Sequence, residues 1–375
     1  MTPESTGSKK PRARRTSAKA AAESPRTPQR EVSVIIPARN EAANLGTCLA
    51  SLVTQAGVDA EIIVVDDNST DGTADVARQF DGVRIVDADP LPPGWSGKCH
   101  AMARGASEAS GEWLLFTDAD TFHLPGSLAA AIAETREFGA ELLSYSPAQE
   151  VETFWEHAVM PVVFAELAET YRPRDICDPA SPAAAANGQY LLITREAYDA
   201  VGGHAACAGT LLEDVALARR VKQSGRDIRF RFGGDAVRTH MYRSLDELRE
   251  GWTKNLAPLF PDARTRSMRR VGEFALIAGS GLAAIAAALR GDKKTAIAAA
   301  VVAGGAYFRF LRRIRNAHMG RAAEAASIAG LPVFAYLLAR SERHYRTGVP
   351  IRWKGRDYEP AVAEVDKAEA AGLGI

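Results

Sequence analysis

Three groups of carboxylates carry the chemistry that this chain can be read for. The stretch Val65-Asp66-Asp67-Asn68-Ser69-Thr70-Asp71-Gly72-Thr73 puts three aspartates within six residues. One of them can form a turn and one can cap a helix, which leaves a carboxylate over for a ligand. Asp118-Ala119-Asp120 is a second acidic pair. Carboxylates one residue apart at a strand end suit a hard divalent cation such as Mg²⁺ or Mn²⁺ bridging to a diphosphate. The third group, Glu213-Asp214, opens an expected helix that stops at Gly225. Acids at a helix N-terminus are favourable in their own right. An acid arriving from a separate loop is also what deprotonation of a hydroxyl requires. Lys98 follows the turn Gly94-Trp95-Ser96-Gly97, where an ammonium on a flexible stem reaches a diphosphate or is simply solvated. His240 is read either as a further metal ligand or as a packed residue.

These groups need strands that end at one edge of a sheet. From Glu31 onward the chain alternates short β-branched runs with helical stretches, the pattern of an α/β protein with a mostly parallel sheet flanked by helices. Strands are expected at Val32–Ile36, Glu61–Val65, Val83–Val86 and Trp113–Thr117, with Asn40 capping a helix that carries Leu45, Cys48, Leu49, Leu52 and Val53. Ligands of open α/β sheets bind at the carboxyl ends of the strands, and the first two acidic groups stand at such ends.

The 375 residues hold 46 Lys+Arg against 46 Asp+Glu, and zero net charge removes the electrostatic reason to expect nucleic acid as a partner. Cys48, Cys99, Cys177 and Cys207 have no CxxC spacing, so neither a zinc site nor a disulfide framework is expected, and a reducing compartment fits. Residues 1–30 contain eight Lys/Arg with only Glu4 and Glu23 opposing them. This segment is expected to be a disordered basic tail, a solubilising arm or a contact with anionic lipid headgroups, and not an export signal.

Taken together, Ile35-Ile36-Pro37-Ala38-Arg39-Asn40-Glu41, Val64 to Thr73, Asp118-Ala119-Asp120 and Glu213-Asp214 resemble the inverting family 2 glycosyltransferases with the GT-A fold. Gly94 to Lys98, the stretch Met241 to Asn255 and Trp353-Lys354-Gly355-Arg356-Asp357-Tyr358 look like the membrane-associated branch acting on carotenoid and hopanoid-type lipids. The resemblance implies that Arg39 and Asp67 hold the nucleoside of a nucleoside-diphosphate sugar while Asp66 supports the loop. It further implies that Asp118 takes the ribose side and the metal, that Asp120 is the direct metal ligand, and that Asp214, beside Glu213, is the general base. Processive relatives carry QxxRW, but here the comparable place reads Arg249-Glu250-Gly251-Trp252. Trp252 is expected to fill the stacking role, with transfer of a single sugar in place of polymerisation.

After about residue 270 the chain becomes Ala- and Gly-rich, with uncharged stretches Phe274–Leu289, Thr295–Phe308 and Ala325–Ala339. Each is shorter than the roughly 20 residues of a standard span. Arg309 to Arg315 is basic, as is the region beyond Arg340, and a hairpin of two spans keeps both on the cytoplasmic side. The third stretch, containing Pro332, is then expected to be interfacial or re-entrant; a soluble bundle of Ala-rich helices is the alternative. Phe154, Trp155, Val159, Met160, Val162, Val163 and Phe164 are expected either to pack in a core or to lie in the headgroup layer.

The expected organisation is a basic tail over 1–30, a glycosyltransferase domain over 31–265, membrane-associated helices over 266–340 and a C-terminal tail over 341–375. The expected protein transfers one sugar to a lipid acceptor at the cytoplasmic membrane, with its catalytic domain facing the cytoplasm. A nucleotidyltransferase would use similar acids, but Pro37-Ala38-Arg39-Asn40-Glu41 lacks the glycines of a phosphate loop. A catalytically silent scaffold would be marked by loss of Asp67, Asp120 or Asp214, and all three are present.

Overall fold

Strands form where the apolar, β-branched runs predict them, with ends shifted by one or two residues: β1 Arg30–Ala38, β2 Ala60–Asp66, β3 Val83–Asp87 and β4 Gly111–Phe116. The computed structural model describes residues 30–353 and 355–358. The expected basic tail before Arg30, Lys354 and the stretch after Tyr358 lie outside the described residues. Further strands are β5 Thr121–His123, β6 Leu142–Ser146, β7 Ala148–Gln149, β8 Leu191–Thr194, β9 Ile228–Phe232 and β10 Val237–Thr239. The main sheet runs β3-β2-β1-β4-β8-β6-β9, with every neighbouring pair parallel except the two made by β8. A small sheet, β5-β10-β7, stands beside it.

The strand order reverses between β1 and β4, so the loops after them part and leave a crevice at their carboxyl ends. Because side chains alternate along a strand, β1 sends Ile35 to one face and Val34 and Ile36 to the other. Helices α3 (Gly97–Glu108), α7 (Arg195–Ala200) and α8 (Glu213–Gln223) supply apolar side chains to the Ile35 face. Helices α1 (Leu45–Val53), α2 (Thr73–Ala77) and α4 (Ser127–Phe138) supply the opposite face. Asn40 does not cap α1. That position is held by Asn44, while Asn40 has a positive φ of 53° and its Oδ1 accepts from Thr70 N at 2.8 Å. A short amide side chain tolerates this backbone conformation and so ties two loops together.

The short α6 (Pro173–Cys177) adds Ile176 to the Ile35 face, and the remaining helices form a second mass: α5 (Phe154–Thr170), α9 (Leu245–Leu259), α10 (Ala263–Leu289), α11 (Lys293–Ile314) and α12 (Gly320–Thr347). The apolar segment of α5 is core. Val159, Val162 and Val163 are fully buried, and only Phe154 and Trp155 at its start are exposed. The headgroup-layer alternative fails because α12 covers this face so closely that a Cβ on Gly330 would meet the Ala158 carbonyl oxygen. The uncharged stretches understated the helices, which continue through charged flanks to 27, 22 and 28 residues. All three are long and apolar enough to cross a membrane. Pro332 does not interrupt α12, whose inner face buries Leu331, Phe334, Leu337 and Leu338 in the same cluster as α5 and α9. The expected tail after 340 is also corrected, since α12 runs to Thr347 and a hairpin of β11 (Ile351–Trp353) and β12 (Arg356–Tyr358) follows.

Candidate active site

Of the ten residues singled out above, all but Asp66 and His240 line one cleft of about 530 Å³ at the carboxyl edge of the sheet. Asp66 works beneath it. Its Oδ1 accepts from Ser69 N at 3.2 Å, while Asp71 accepts from Ala42 N and Thr73 N, so these two acids shape the loop after β2. Asp67 is left facing the cleft, and Arg39 braces the same loop by donating to the Asp67 carbonyl at 2.7 Å and to that of Asn68 at 3.3 Å.

Arg356 was not foreseen there. Its guanidinium forms two hydrogen bonds with the Asp67 carboxylate, one of them at 2.8 Å, across a sequence separation of 289 residues. Gly97 makes this possible, because a Cβ at that position would overlap Arg356 Nη1 and crowd Asp67 Oδ2. Trp353 of the same hairpin lines the cleft and stacks under the Lys254 ammonium at 5.0 Å. No local pattern reveals such a contact; the motif around Arg356 was visible only as a resemblance.

Ser96 Oγ accepts from Cys99 N and so starts α3 directly ahead of Lys98. Lys98 is held by carboxylates, with Nζ 2.8 Å from Asp118 Oδ1 and 2.9 Å from Glu213 Oε1. Burial works against its charge, yet the acids Asp118 and Glu213 outweigh it and raise the ammonium well above its usual range. For Glu213, burial works against ionisation, but Lys98 and then Lys254 hold the carboxyl below the ordinary value. Asp214 goes the other way. Burial first and the Glu213 charge second push it up to about 6, despite backbone hydrogen bonds of 2.8 Å from Gly188 N and Val215 N. Two adjacent carboxyls are thereby driven apart, one kept ionised and the other able to exchange a proton near neutrality.

Asp118 and Asp120 follow β4. The backbone of this loop is pinned by Thr121 Oγ1 donating to Asp118 O at 2.7 Å and Thr239 Oγ1 donating to Asp120 O at 3.2 Å. No group of three or more His, Cys, Asp or Glu able to hold a metal gathers among the described residues. His240 Nε2 lies 3.0 Å from Glu156, the acid of the capping box that opens α5. Two carboxylates alone still fit a Mg²⁺- or Mn²⁺-type ion, which takes one or two from protein and the rest from phosphate and water. Trp252 departs from the expected stacking platform. Its ring is 2% exposed and meets Phe164 and Tyr242 edge-on at 6.1 and 6.0 Å, so its face is spent on packing.

A sheet with a crevice at the β1/β4 reversal, acids at the strand ends and a second acidic pair on a separate helix defines a class, and the sequence matches it. Residues 33–201 match the profile described as glycosyl transferase family 2. It is 32% identical over 235 residues to the 4,4'-diaponeurosporenoate glycosyltransferase of Staphylococcus aureus strain MRSA252, and equally to that of strain Newman, the match covering 60% of this chain and 60% of each relative. The chain thus spans less than two thirds of the length of the curated relatives it matches. Among solved structures, it is similar to the mannosyltransferase PcManGT from Pyrobaculum calidifontis in complex with GDP-Man and Mn²⁺, at 16% identity over 86% of this chain and 90% of that one, TM-score 0.48. It is also similar to glucosyl-3-phosphoglycerate synthase from Mycobacterium tuberculosis with Mn²⁺, UDP and glucosyl-3-phosphoglycerate, at 23% identity over 61% and 80%, TM-score 0.40.

Proposed function

We propose that the protein moves one sugar from a nucleoside-diphosphate donor to a lipid acceptor at the cytoplasmic face of a membrane, inverting the anomeric centre. The observation that carries this reading is the double character of the cleft. One part of its wall holds Asp67, Asp118, Asp120 and Asp214, and another holds Phe164, Leu167, Tyr171, Phe230 and Phe232. The wall also includes Asn316, Ala317 and His318, which lie between α11 and α12. An apolar acceptor approaching from the bilayer would therefore travel beside membrane-facing helices to the carboxylates.

Arg39 and Asp67 bind the nucleoside in this reading, with Arg356 fixing the Asp67 carboxylate. Asp118 and Asp120 hold the divalent ion. When bound, that ion offsets the charge that builds up on the departing diphosphate. Lys98, already drawn into the acids, adds its own positive charge beside Asp118. Asp214 takes the proton from an acceptor hydroxyl as the oxygen forms its bond to the anomeric carbon and the bond to the diphosphate breaks on the opposite side. Glu213 keeps Lys98 oriented and keeps Asp214 basic enough for the task.

The domain order that suits this chemistry is a catalytic α/β unit to about residue 262, then α10 and α11 as a membrane hairpin. Its apolar residues point outward, as with Leu282, Ile285, Ile297 and Val301, each at least 60% exposed. Arginines gathered at the start of α10 and the end of α11 favour the cytoplasmic side for the catalytic unit. α12, half enclosed by α5 and α9, rests against that unit. The test is to incubate membranes carrying the protein with a panel of radiolabelled sugar nucleotides plus Mn²⁺ and to extract lipids. Label entering the organic phase only with the active chain is expected. Label confined to water-soluble products overturns the lipid acceptor, and complete recovery of the chain in the soluble fraction without detergent overturns membrane attachment.

A further inference from the structure

Gly291 and Asp292 turn the chain between α10 and α11, so the arginine-rich start of one helix lies beside the arginine-rich end of the other. There Arg269, Arg270, Arg309 and Arg313 line a groove of about 430 Å³, away from the catalytic cleft. Two of the four are committed. Arg270 Nη1 lies 2.7 Å from Glu273 and its Nε 2.9 Å from Glu166, while Arg313 Nη2 lies 2.8 Å from Glu273. The other two stand at the rim. Arg269 has a side chain 65% exposed and approaches only Asp262, at 3.9 Å, and Arg309 is exposed with no ion pair or hydrogen bond among the described residues.

Four arginines face two carboxylates in this lining, and one of the two, Glu273, is enclosed by Arg270 and Arg313. Leu276 and Ala306 complete the wall on the side of the uncharged stretches. Leu276 is 43% exposed, and Val302, one helical turn before Ala306 on the same face of α11, is 47% exposed. Cationic groups at one end and bare apolar side chains at the other match a molecule with an anionic head and a hydrocarbon tail, which a free phosphate does not have.

We propose that this groove binds the phosphate headgroup of an anionic phospholipid, with an acyl chain running along Leu276 and Val302. The inference rests on the membrane reading of α10 and α11. Arg269 and Arg309 contact the phosphate directly, while Arg270 and Arg313 are held in place behind them by Glu166. α5 joins the groove to the catalytic cleft, since it offers Glu169 to one and Phe164 and Leu167 to the other.

The test uses the full-length protein in a neutral detergent, where insertion into a bilayer is not required, with phosphatidylglycerol, phosphatidylcholine or inorganic phosphate added. Phosphatidylglycerol is expected to raise the thermal midpoint and to remain attached in native mass spectra, and phosphatidylcholine is not. The paired substitution Arg269→Ala with Arg309→Ala removes only exposed side chains and should leave the lipid-free midpoint unchanged. It is expected to weaken phosphatidylglycerol binding roughly 30-fold, the sum of two surface arginines acting on an anionic lipid. Equal binding of both lipids, or unaltered phosphatidylglycerol binding by the double variant, overturns the site. Stabilisation by inorganic phosphate equal to that by phosphatidylglycerol overturns the lipid as its occupant. Solubility without detergent is scored separately, so failure of the membrane reading and failure of the groove are distinguishable.

Discussion

Two ion clusters in this protein both join carboxylates to cations and are set up in opposite ways. In the cleft, Asp118, Glu213 and Asp214 surround Lys98, with side chains of Asp118 and Lys98 still 26% and 33% exposed. At the junction of α5 with α10 and α11, Glu166 and Glu273 receive Arg266, Arg270 and Arg313, and Glu166 is wholly buried. The first cluster has an excess of acid, so it gains when a cation or a proton arrives. The second has its carboxylates outnumbered by guanidinium groups that cannot be deprotonated, so its charges are fixed. Acid in excess is a feature of a site that changes state; carboxylates saturated by guanidinium groups hold helices in register.

The sharpest way to break the comparison is to remove the metal-type ligand. Asp120→Ala is expected to lower transfer on the order of 10³-fold, because charge on the leaving diphosphate is then uncompensated, while thermal unfolding stays near that of the parent. Full activity of the purified variant in chelator-treated buffer would reject the metal assignment. The fixed cluster should respond in the opposite sense. Glu166→Ala removes the one wholly buried carboxylate that Arg266, Arg270 and Arg313 share, leaving them only Asp262 and Glu273, and is expected to cost about 3 kcal/mol of stability, read by denaturant titration in detergent, with catalysis in the surviving folded fraction little altered.

Next in size is Asp214→Asn, for which turnover on a hydroxyl acceptor falls about 10²-fold while nucleotide affinity is kept. Its stability should move the other way. The folded-state pKa of Asp214 is raised from 3.8 to about 6, so the folded protein binds that proton more tightly than the unfolded chain. Stability is therefore lost as pH rises through this window, and the amide removes the loss, giving a higher midpoint above pH 6. A drop in nucleotide affinity at unchanged turnover would move Asp214 from chemistry to binding.

Arg356→Ala is expected to raise the donor KM about tenfold, the scale of one lost charge-assisted pair. The acceptor KM should hold steady, and Arg356→Lys should restore only part of the loss because an ammonium cannot grip both oxygens. Unaltered donor KM would reduce the contact to a structural tie. The smallest effect is a shift in a pH profile. Turnover should rise with pH through about 6, where Asp214 loses its proton, and level off above. Glu213→Gln removes a charge that raises that pKa, so the rising limb should move to lower pH; movement to higher pH would contradict the assigned coupling.

Much of the acidic side of the cleft was legible from residues near one another in sequence. Strand periodicity located β1 to β4, and acids directly after β2 and β4 had to emerge at one edge because those strands are parallel. The division of labour between Asp66, Asp67 and Asp71 was legible in outline, since short acids in a tight turn bond to nearby amides. Trp252 was less legible. A tryptophan at a suggestive position reads the same whether its face is open or, as here, covered by Phe164 and Tyr242. The apolar run in α5 was ambiguous for a related reason: burial by α12 and burial by lipid ask for the same side chains.

The sequence by itself determined which groups the protein has for its chemistry, because a carboxylate, an ammonium or a guanidinium carries its charge and its hydrogen-bonding capacity wherever it stands. It also determined the local devices that aim them, such as Ser96 starting α3 ahead of Lys98. Only the tertiary structure decided what those charges face. The pairing of Arg356 with Asp67, the opposite shifts of Glu213 and Asp214, and the meeting of α5 with the arginines of α10 and α11 all depend on groups far apart in the chain. Electrostatic interaction falls with distance and grows as water is excluded, and both of those quantities are set by packing.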